Sequence, residues 1–538
     1  MQAAGIHSIE LIFLLLLLFV TGLAALAKRF NIPYPIVLVI GGLLLSLFPR
    51  APRVELNPDL VFLVILPPLL FSSAFLTSWR EFRYNLVSIT MLAFGLVGFT
   101  VIGAAAACRW LIPGFDWRMG LVLGAVVSTT DAIAATAIAK RLHLPKRITD
   151  ILEGESLIND ASGLLALQFA VALLVSGHTP GIAEGAARLF YLVFASLAIG
   201  LLIGKAIHFV ESKIDDAAIE ITISLLAPYV AYLAAEGARS SGVLATVACG
   251  LYLGRKSSLY LSTGARLRGG AVWDTLTFVL NGFVFILIGL QLPWVLEGIP
   301  AFSIGHLMVL GLIFSGVLIF LRLLWMYPGA LVANVIRRRL LHQQEALPNP
   351  RAIFILGWTG MRGVIALAAA ISLPEFLANG SPFPQRDVMI FLTFCVIFVT
   401  LVLQGLTLPP LIRRLGLAGT AAGQNREELH ARNALVQAAL AYLEHARESD
   451  SGEFAPIYDD LIRLQRRLNL PAGNESEDGG HRREEYDRFR DLSAQVRAVQ
   501  RAAVLHMRDQ NEINDELMRT LEQEIDMIEA RFASSDHL

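Results

Sequence analysis

The sequence predicts an all-α integral membrane protein with about thirteen transmembrane helices and a helical region at its C-terminal end. Of its 538 residues, 55% are hydrophobic and 17% charged, and the mean hydropathy is +0.59. Soluble domains carry about a quarter charged residues, so a water-soluble enzyme is excluded as the default. The three cysteines stand apart, with no CxxC or Cys/His spacing. No metal cluster, redox motif or cofactor is therefore expected.

The apolar runs are long enough to count the spans, because a helix crosses a bilayer core with roughly 20 mainly apolar residues. The first run is not preceded by the Lys or Arg of a secretory signal, since residues 1–10 hold only Glu10 as a charged group. We therefore expect it to be retained as a span. The predicted spans lie near residues 8–27, 33–48, 59–76, 85–108, 119–138, 150–175, 189–210, 217–236, 241–254, 272–292, 303–333, 352–373 and 387–412.

The loops between these spans differ in positive charge. One alternating set holds 20 Lys and Arg, and the other holds 7. Loops rich in Lys and Arg stay on the cytoplasmic side. In the cell membrane, the N-terminus is therefore expected outside and the C-terminal tail in the cytoplasm, which requires an odd number of spans.

The tail differs in composition from the membrane part. From Arg413 onward it holds 17 Arg, no Lys and 24 acidic residues. We predict helices near 425–447, 456–468 and 484–531, with the last two separated by the Gly/Pro/acidic stretch 471–480. The predicted domains are a membrane domain, 1–415, and a cytoplasmic, regulatory tail, 416–538. Neither concentrates enough positive charge to indicate nucleic-acid binding.

Six ionisable residues form a cluster near the centres of the apolar spans, where each costs roughly 2.5–3.5 kcal/mol to insert. Such a cluster is a functional-site hypothesis, and the alternative for some members is an internal ion pair that only holds helices together. The cluster comprises Asp131, Glu153, Glu155, Asp160, Arg322 and Arg362.

The sixth span carries oxygen ligands for a cation. Ser156 and Asp160 are one helical turn apart and share a face, with Asn159 beside it. A carboxylate, an amide and a hydroxyl are ligands that an alkali cation accepts when it sheds water. Glu155 points about 140° away from Asp160, and Arg362 is its expected partner.

Two spans contain interruptions that suit helices broken at the middle of the bilayer. Hydroxyl side chains of Ser128-Thr129-Thr130-Asp131 interrupt the fifth span, where they can bond backward to carbonyls. Glycines interrupt the twelfth, although close helix packing through small residues is the alternative explanation. The fifth and twelfth spans are equivalent if residues 8–175 and 217–412 are inverted repeats joined by the seventh span. The predicted break positions are Thr129, Gly357, Gly360 and Gly363.

At these residues the chain resembles the sodium/proton antiporters of the cation:proton antiporter-1 family, which includes the animal sodium/proton exchangers. The resemblance covers about residues 5–415. The matching segments are Thr130-Asp131, Glu155 to Asp160, Arg322, Gly360 to Gly363, and Asn281 to Gln291.

The resemblance implies a homodimer in lipid, in which a six-helix transport domain moves against a dimerisation domain and exchanges Na+ for H+. Li+ and K+ are further candidate cations. By position, Asp160 would bind cation and proton in turn. Around it, the implied cation and proton ligands are Asn159, Ser156, Thr130 and Asp131, and the implied structural ion pairs are Glu155–Arg362 and Asp131–Arg322.

Two features bear on the ion and the stoichiometry. Many relatives carry an acidic residue after the Pro67 to Phe71 motif, where this chain has Ser72 and Ser73. An arginine partner does not lose its proton. An Asp131–Arg322 pair would therefore leave Asp160 as the one group that changes its protonation state. Electroneutral exchange of one cation for one proton is therefore expected.

Other functions remain open at this stage. A K+/H+ antiporter would use the same scaffold. A gated cation channel or receptor would more naturally show repeated filter segments or a symmetric ring of acids. An intramembrane aspartyl protease could use Asp131 and Asp160, but neither has a Gly-x-Gly-Asp setting.

Overall fold

The computed structural model describes two compact units, Met1–Ala418 and Gly419–Leu538. Its described residues are 2–30, 32–48, 56–112, 114–176, 182–297, 299, 303–342, 349–377, 381–419, 422–449 and 455–468, with isolated positions between 492 and 525. These residues are helical apart from turns, short connections and one isolated β-bridge between Phe376 and Pro382. The all-α prediction is confirmed.

In the described part of the first unit, each of the thirteen predicted spans overlaps one helical segment. Nine segments are long and apolar enough to cross a membrane alone, and the others are short, broken or less apolar. The segments are α1 Gln2–Phe30, α2 Tyr34–Ser46, α3 Pro58–Leu76, α4 Trp79–Leu111, α5a Trp117–Val126 and α5b Ile133–Arg141, α6 Lys146–Ser176, α7 Ile182–Glu211, α8 Ala217–Gly237, α9 Gly242–Tyr260, α10 Thr263–Leu290, α11 Ile304–Leu340, α12a Pro350–Trp358 and α12b Val364–Ile371, and α13 Arg386–Arg414.

The fifth and twelfth segments are the broken ones, as predicted. Additional irregularity comes from π-helical turns within α3, α4 and α13, at Val61–Ile65, Met91–Leu96 and Thr400–Gln404. In α3 the wide turn precedes Pro67 and Pro68, which have no N–H to donate to the carbonyls one turn back. Such turns loosen a helix locally and are frequent near functional sites.

The helices form two sets by their packing. We call α4, α5, α6, α11, α12 and α13 the core set, and α1, α2, α3, α7, α8, α9 and α10 the scaffold set. Within the core set, α4 packs on α5a and α11, and α13 packs on α11 and α12b. Within the scaffold set, α7 packs on α9, α9 on α3, and α10 on α2. The two sets meet along α3, α9 and α10, and where α2 packs on α5b.

The second unit contains two described helices, α14 Ala422–Ser449 and α15 Ala455–Leu468. They pack against each other, and Arg447 forms an ion pair with Asp459 at 3.1 Å. They match the first two helices predicted for the tail. The third predicted helix, 484–531, and the 471–480 stretch lie outside the described residues, apart from isolated positions.

The contact between α2 and α10 brings two backbones together. A Cβ on Gly289 would collide with the carbonyl of Val39, and a Cβ on Gly42 would collide with the carbonyl of Ile286. Two opposed glycines therefore set the closest approach of these helices, as small residues do in membrane bundles.

We expect Gly289→Val to lower the thermal unfolding midpoint of the purified protein, because the added side chain forces α2 and α10 apart. Overpacking of this kind costs about 1–3 kcal/mol. Gly98→Val is the matched control, since nothing lies within 4 Å of a Cβ at Gly98 on α4. Equal midpoints for the two variants, measured by thermal unfolding in detergent, would contradict this account of the contact.

Candidate functional site

Hydroxyl side chains and backbone irregularity break α5. The helix stops at Val126 and resumes at Ile133, so the intervening residues are extended or in turns. Ser128 Oγ donates to the Ala125 carbonyl at 2.7 Å, which replaces a backbone bond of the lost turn. The Asp131 carboxylate accepts from the N–H of Ile133 at 2.8 Å and so caps the start of α5b.

Two of the three predicted glycines lie in the break of α12, which runs from Thr359 to Gly363. A Cβ on Gly360 would collide with the Arg322 side chain, and a Cβ on Gly363 would collide with the Asp131 carboxylate. Gly357 was predicted as a break position, and that prediction is wrong. It lies inside α12a, where its missing side chain lets Leu323 and Met326 of α11 approach.

The two breaks are joined to each other. The N–H of Asp131 donates to the Met361 carbonyl at 2.7 Å. The Arg362 guanidinium donates to the carbonyls of Val127, at 3.1 Å, and Gly360. Its backbone N–H donates to Thr400 Oγ1 at 3.1 Å. Arg362 therefore satisfies the carbonyl end of α5a, where a helix dipole favours positive charge.

A buried ion pair supports this crossing. Arg322 on α11 contacts both carboxylate oxygens of Glu155, at 2.5 and 2.9 Å. The same guanidinium donates to the carbonyls of Leu356 and Gly357 at 3.1 Å each, which end α12a. Thr130 Oγ1 donates to Glu155 at 3.2 Å. A two-pronged pair of this kind is the strongest geometry open to arginine.

The predicted partners were therefore wrong. The predicted pairs were Glu155 with Arg362 and Asp131 with Arg322, whereas in the structure Glu155 pairs with Arg322. The physical reason is where the arginines lie. Arg362 belongs to the break itself and turns to the neighbouring carbonyls, while Arg322 on α11 faces α6 across α12a. Both arginines are 1% exposed.

Asp160 lies next to the break of α5 and is 4% exposed. The Thr130 carbonyl accepts hydrogen bonds from Ser156 Oγ, at 3.2 Å, and from Asn159 Nδ2, at 3.5 Å. Asn159 also donates to Thr130 Oγ1. Among the described residues, Oδ1 of Asn159 is buried and has no hydrogen-bond partner. The predicted ligands Asp160, Asn159, Ser156 and Thr130 thus gather in one place.

A cavity of about 270 Å³ reaches this group from between the two helix sets. Asp160 and Asp131 both line it, and their charges interact. The scaffold set contributes two polar residues to its lining, Ser73 of α3 and Asn281 of α10. Ser72 is buried at 7% exposure. Of the two serines after the Pro-Pro motif, Ser73 is the one in the cavity.

Lys140 lines the cavity but was not among the predicted site residues. Its amino group forms an ion pair with Glu153 at 2.9 Å, and both residues line the cavity far along α5b and α6 from Asp160. A Lys at the end of α5b and an acid in the first turns of α6 could have suggested the contact. Glu153 belongs to the predicted ionisable cluster, whereas Lys140 does not stand out in the sequence, because charged side chains are common at helix ends.

We expect Arg322→Met to lower the thermal unfolding midpoint strongly, because it leaves the buried Glu155 charge without a counter-charge and two helix-end carbonyls without the guanidinium donor. Removing one member of a buried pair costs about 3–5 kcal/mol. Arg83→Met, at an exposed position of α4, is the control. A double-mutant cycle then measures the coupling directly. If Glu155 were coupled more strongly to Arg362 than to Arg322, the observed pairing would be contradicted.

The chain is similar in sequence to known membrane antiporters. A family model described as "Sodium/hydrogen exchanger, transmembrane" matches residues 14–414. The chain is 34% identical over 449 residues to the sodium, potassium, lithium and rubidium/H(+) antiporter of Bacillus pumilus (strain SAFR-032), covering 81% of this chain and 66% of that protein. It is 30% identical over 445 residues to the Na(+)/H(+) antiporter ApNhaP of Aphanothece halophytica, covering 82% and 81%.

The fold is also similar to a solved structure. The sodium proton antiporter MjNhaP1 from Methanocaldococcus jannaschii at pH 8 matches with a TM-score of 0.60 and 19% identity, covering 76% of this chain and 98% of that one. At this identity the likeness concerns the fold alone. The family model spans most of the membrane unit and includes both broken helices and the Asp160 region. The chain therefore belongs to the sodium/hydrogen exchanger family of multi-pass membrane antiporters.

Proposed function

We propose that this protein exchanges Na+ for H+, with the Asp160 carboxylate binding the two ions in turn. The observation that carries the proposal is the position of Asp160, which is buried at 4% exposure yet lines a cavity between the core and scaffold sets. The Thr130 carbonyl and the Ser156 hydroxyl lie beside it. Carboxylate, carbonyl and hydroxyl oxygens are the ligands of hard cations.

Competition at this carboxylate couples the two ion fluxes. A bound proton removes the charge that attracts a cation, and a bound cation removes the site for the proton. The empty carboxylate carries a net charge that is costly to move through an apolar environment. The site then moves across the membrane readily only when Asp160 holds a cation or a proton, so one ion is exchanged for the other.

The proposed movement is of the elevator type. The cavity is lined by α5, α6 and α12 from the core set and by α3 and α10 from the scaffold set. The core set would slide along these scaffold helices and carry Asp160 from one side to the other. The Lys140–Glu153 end of the cavity would face the cytoplasm, with the N-terminus outside, as the distribution of Lys and Arg predicts. The scaffold set would form a homodimer, and the tail would regulate the cycle.

Na+ is the proposed substrate, and K+ is the second candidate. The curated relative from Bacillus pumilus is named for sodium, potassium, lithium and rubidium. Ser73 and Asn281 are the uncharged polar residues that the scaffold set adds to the cavity. With an uncharged residue at position 73, cation choice would depend on cavity size and carbonyl position. Li+ and K+ are therefore to be tested beside Na+.

We also propose that exchange is electroneutral, one cation for one proton. The reason is no longer a pairing of Asp131 with Arg322. Asp131 is not held by Arg322, whose partner is Glu155. Instead its carboxylate caps α5b through the N–H of Ile133. A carboxylate held at a helix N-terminus is in a favourable place to keep its charge through the cycle. Asp160 would then be the one group that gains and loses a proton.

Asp160→Asn should abolish exchange in proteoliposomes, because asparagine keeps the shape of the site but has no charge for a cation and no exchangeable proton. The assay follows the internal pH after addition of Na+, Li+ or K+. Asp215→Asn, in the exposed loop after α7, should exchange at the unmodified rate. Exchange above background in a correctly inserted Asp160→Asn variant would refute the proposed role.

The stoichiometry is tested by clamping the proteoliposome membrane at zero and at about 100 mV, which is worth about 2.3 kcal/mol per charge moved. For one-to-one exchange we expect the same rate and the same final cation gradient at both voltages. A final gradient that follows the voltage would mean that a second proton moves. In that case Asp131→Asn should remove the voltage dependence.

A further inference from the structure

A second pair of buried acids lies in the scaffold set, away from the Asp160 cavity. Glu211 is the last residue of α7, and Glu220 lies in the first turn of α8. They are 1% and 0% exposed, and their charges interact. The loop between these helices holds Lys213, Asp215 and Asp216, whose side chains are exposed. The two glutamates face inward where their neighbours in the sequence face outward.

The hydrogen bonds of this pair are incomplete. The N–H of Ser262 donates to Oε2 of Glu220 at 2.9 Å. Within the described part of the chain, Oε1 of Glu220 and both carboxylate oxygens of Glu211 are buried without a hydrogen-bond partner. An ionised carboxylate without a partner is costly to bury, and a second one beside it adds repulsion. The pair therefore needs a positively charged ligand.

The charged groups near the pair already have other contacts. Asp216 accepts from the N–H groups of Ala218 and Ile219, which start α8. The Lys213 amino group lies 4.0 Å from the centre of the Phe209 ring. Arg266 of α10 donates to the Leu261 carbonyl at 2.6 Å. The remaining titratable neighbours are His208 on α7 and Cys249, Tyr252 and Tyr260 on α9. The His208 ring packs edge-on against Tyr252 and Tyr260, and its Nδ1 is buried without a hydrogen-bond partner among the described residues.

We propose that Glu211 and Glu220 together bind one proton, which Glu211 carries and donates to Oε1 of Glu220. A single proton removes the charge of Glu211 and supplies the bond that Glu220 Oε1 lacks, although the second oxygen of Glu211 still has no donor among the described residues. The two helix dipoles favour this arrangement. Glu220 lies at the N-terminus of α8, where negative charge is stabilised, and Glu211 at the C-terminus of α7, where it is not.

The proton links three helix ends. Glu220 holds Ser262, and Ser262 Oγ caps the start of α10 by accepting from Ala265 at 3.2 Å. Loss of the proton would leave two negative charges beside an apolar cluster that includes Cys249, Leu253 and Tyr260. The corner between α7 and α8 and the start of α10 would then loosen. α10 carries Asn281 of the ion cavity, so any effect on transport rests on the proposed function, whereas proton binding does not.

The test is the pH dependence of thermal stability between pH 6 and 9, with every variant built on Asp160→Asn so that the transport site does not titrate. The folded state would hold one proton more than the unfolded chain, whose glutamates are ionised at neutral pH. The unfolding equilibrium constant should therefore rise about tenfold per pH unit until the site releases its proton. Glu211→Gln should reduce this dependence, because its amide donates to Glu220 and cannot be deprotonated.

Glu184→Gln, at an exposed position near the start of α7, is the matched control and should keep the parent dependence. Infrared difference spectra should show the carbonyl stretch of a protonated carboxyl group that Glu211→Gln lacks. Equal pH dependence in Glu211→Gln and the parent would overturn the proposal. So would a loss of the dependence in His208→Gln, which would place the proton on the imidazole. Stabilisation by Na+ that Glu211→Gln removes would identify a cation site instead.

Discussion

The ion pair between Glu155 and Arg322 is the constraint on which the transport site depends. Two broken helices leave backbone carbonyls without partners in an apolar environment, where each unsatisfied group is expensive. Arg322 donates hydrogen bonds to the carbonyls at the end of α12a, and Arg362 donates to a carbonyl at the end of α5a. Arginine alone would bury positive charge, so the Glu155 carboxylate is required as well. The pair is thus one part of a network that keeps the two breaks in contact.

This network leaves Asp160 as a buried carboxylate whose neighbours are polar but uncharged or negative. Arg322 is engaged with Glu155, on the other face of α6 from Asp160, and Arg362 is engaged with backbone carbonyls. A carboxylate paired with arginine would bind a proton or a metal cation only weakly. The chemistry proposed for Asp160 therefore follows from the positions of the arginines as much as from its own.

The proposed movement places the opposite requirement on the scaffold set, because a surface along which the core set would slide must keep its own shape. Gly42 and Gly289 bring α2 and α10 into backbone contact, and Ser262 and Glu220 fix the start of α10 against α8. The cavity polar groups that this set contributes are uncharged, at Ser73 and Asn281. A rigid, uncharged wall opposite a single exchangeable carboxylate is consistent with alternating access by movement of the core set.

The sequence alone determined the membrane class, the thirteen segments, the two breaks and the grouping of Asp160 with Ser156 and Asn159. These follow from local properties, namely apolar run length, helical spacing, and hydroxyl or glycine interruptions, which act over a few residues. Only the tertiary structure decided that Glu155 pairs with Arg322, since helical geometry gives the direction of a side chain but not the helix it meets. The same applies to Glu211 and Glu220, which flank a charged loop and would be expected in water. Their burial results from how α7, α8 and α9 pack, and that depends on contacts far apart in the chain.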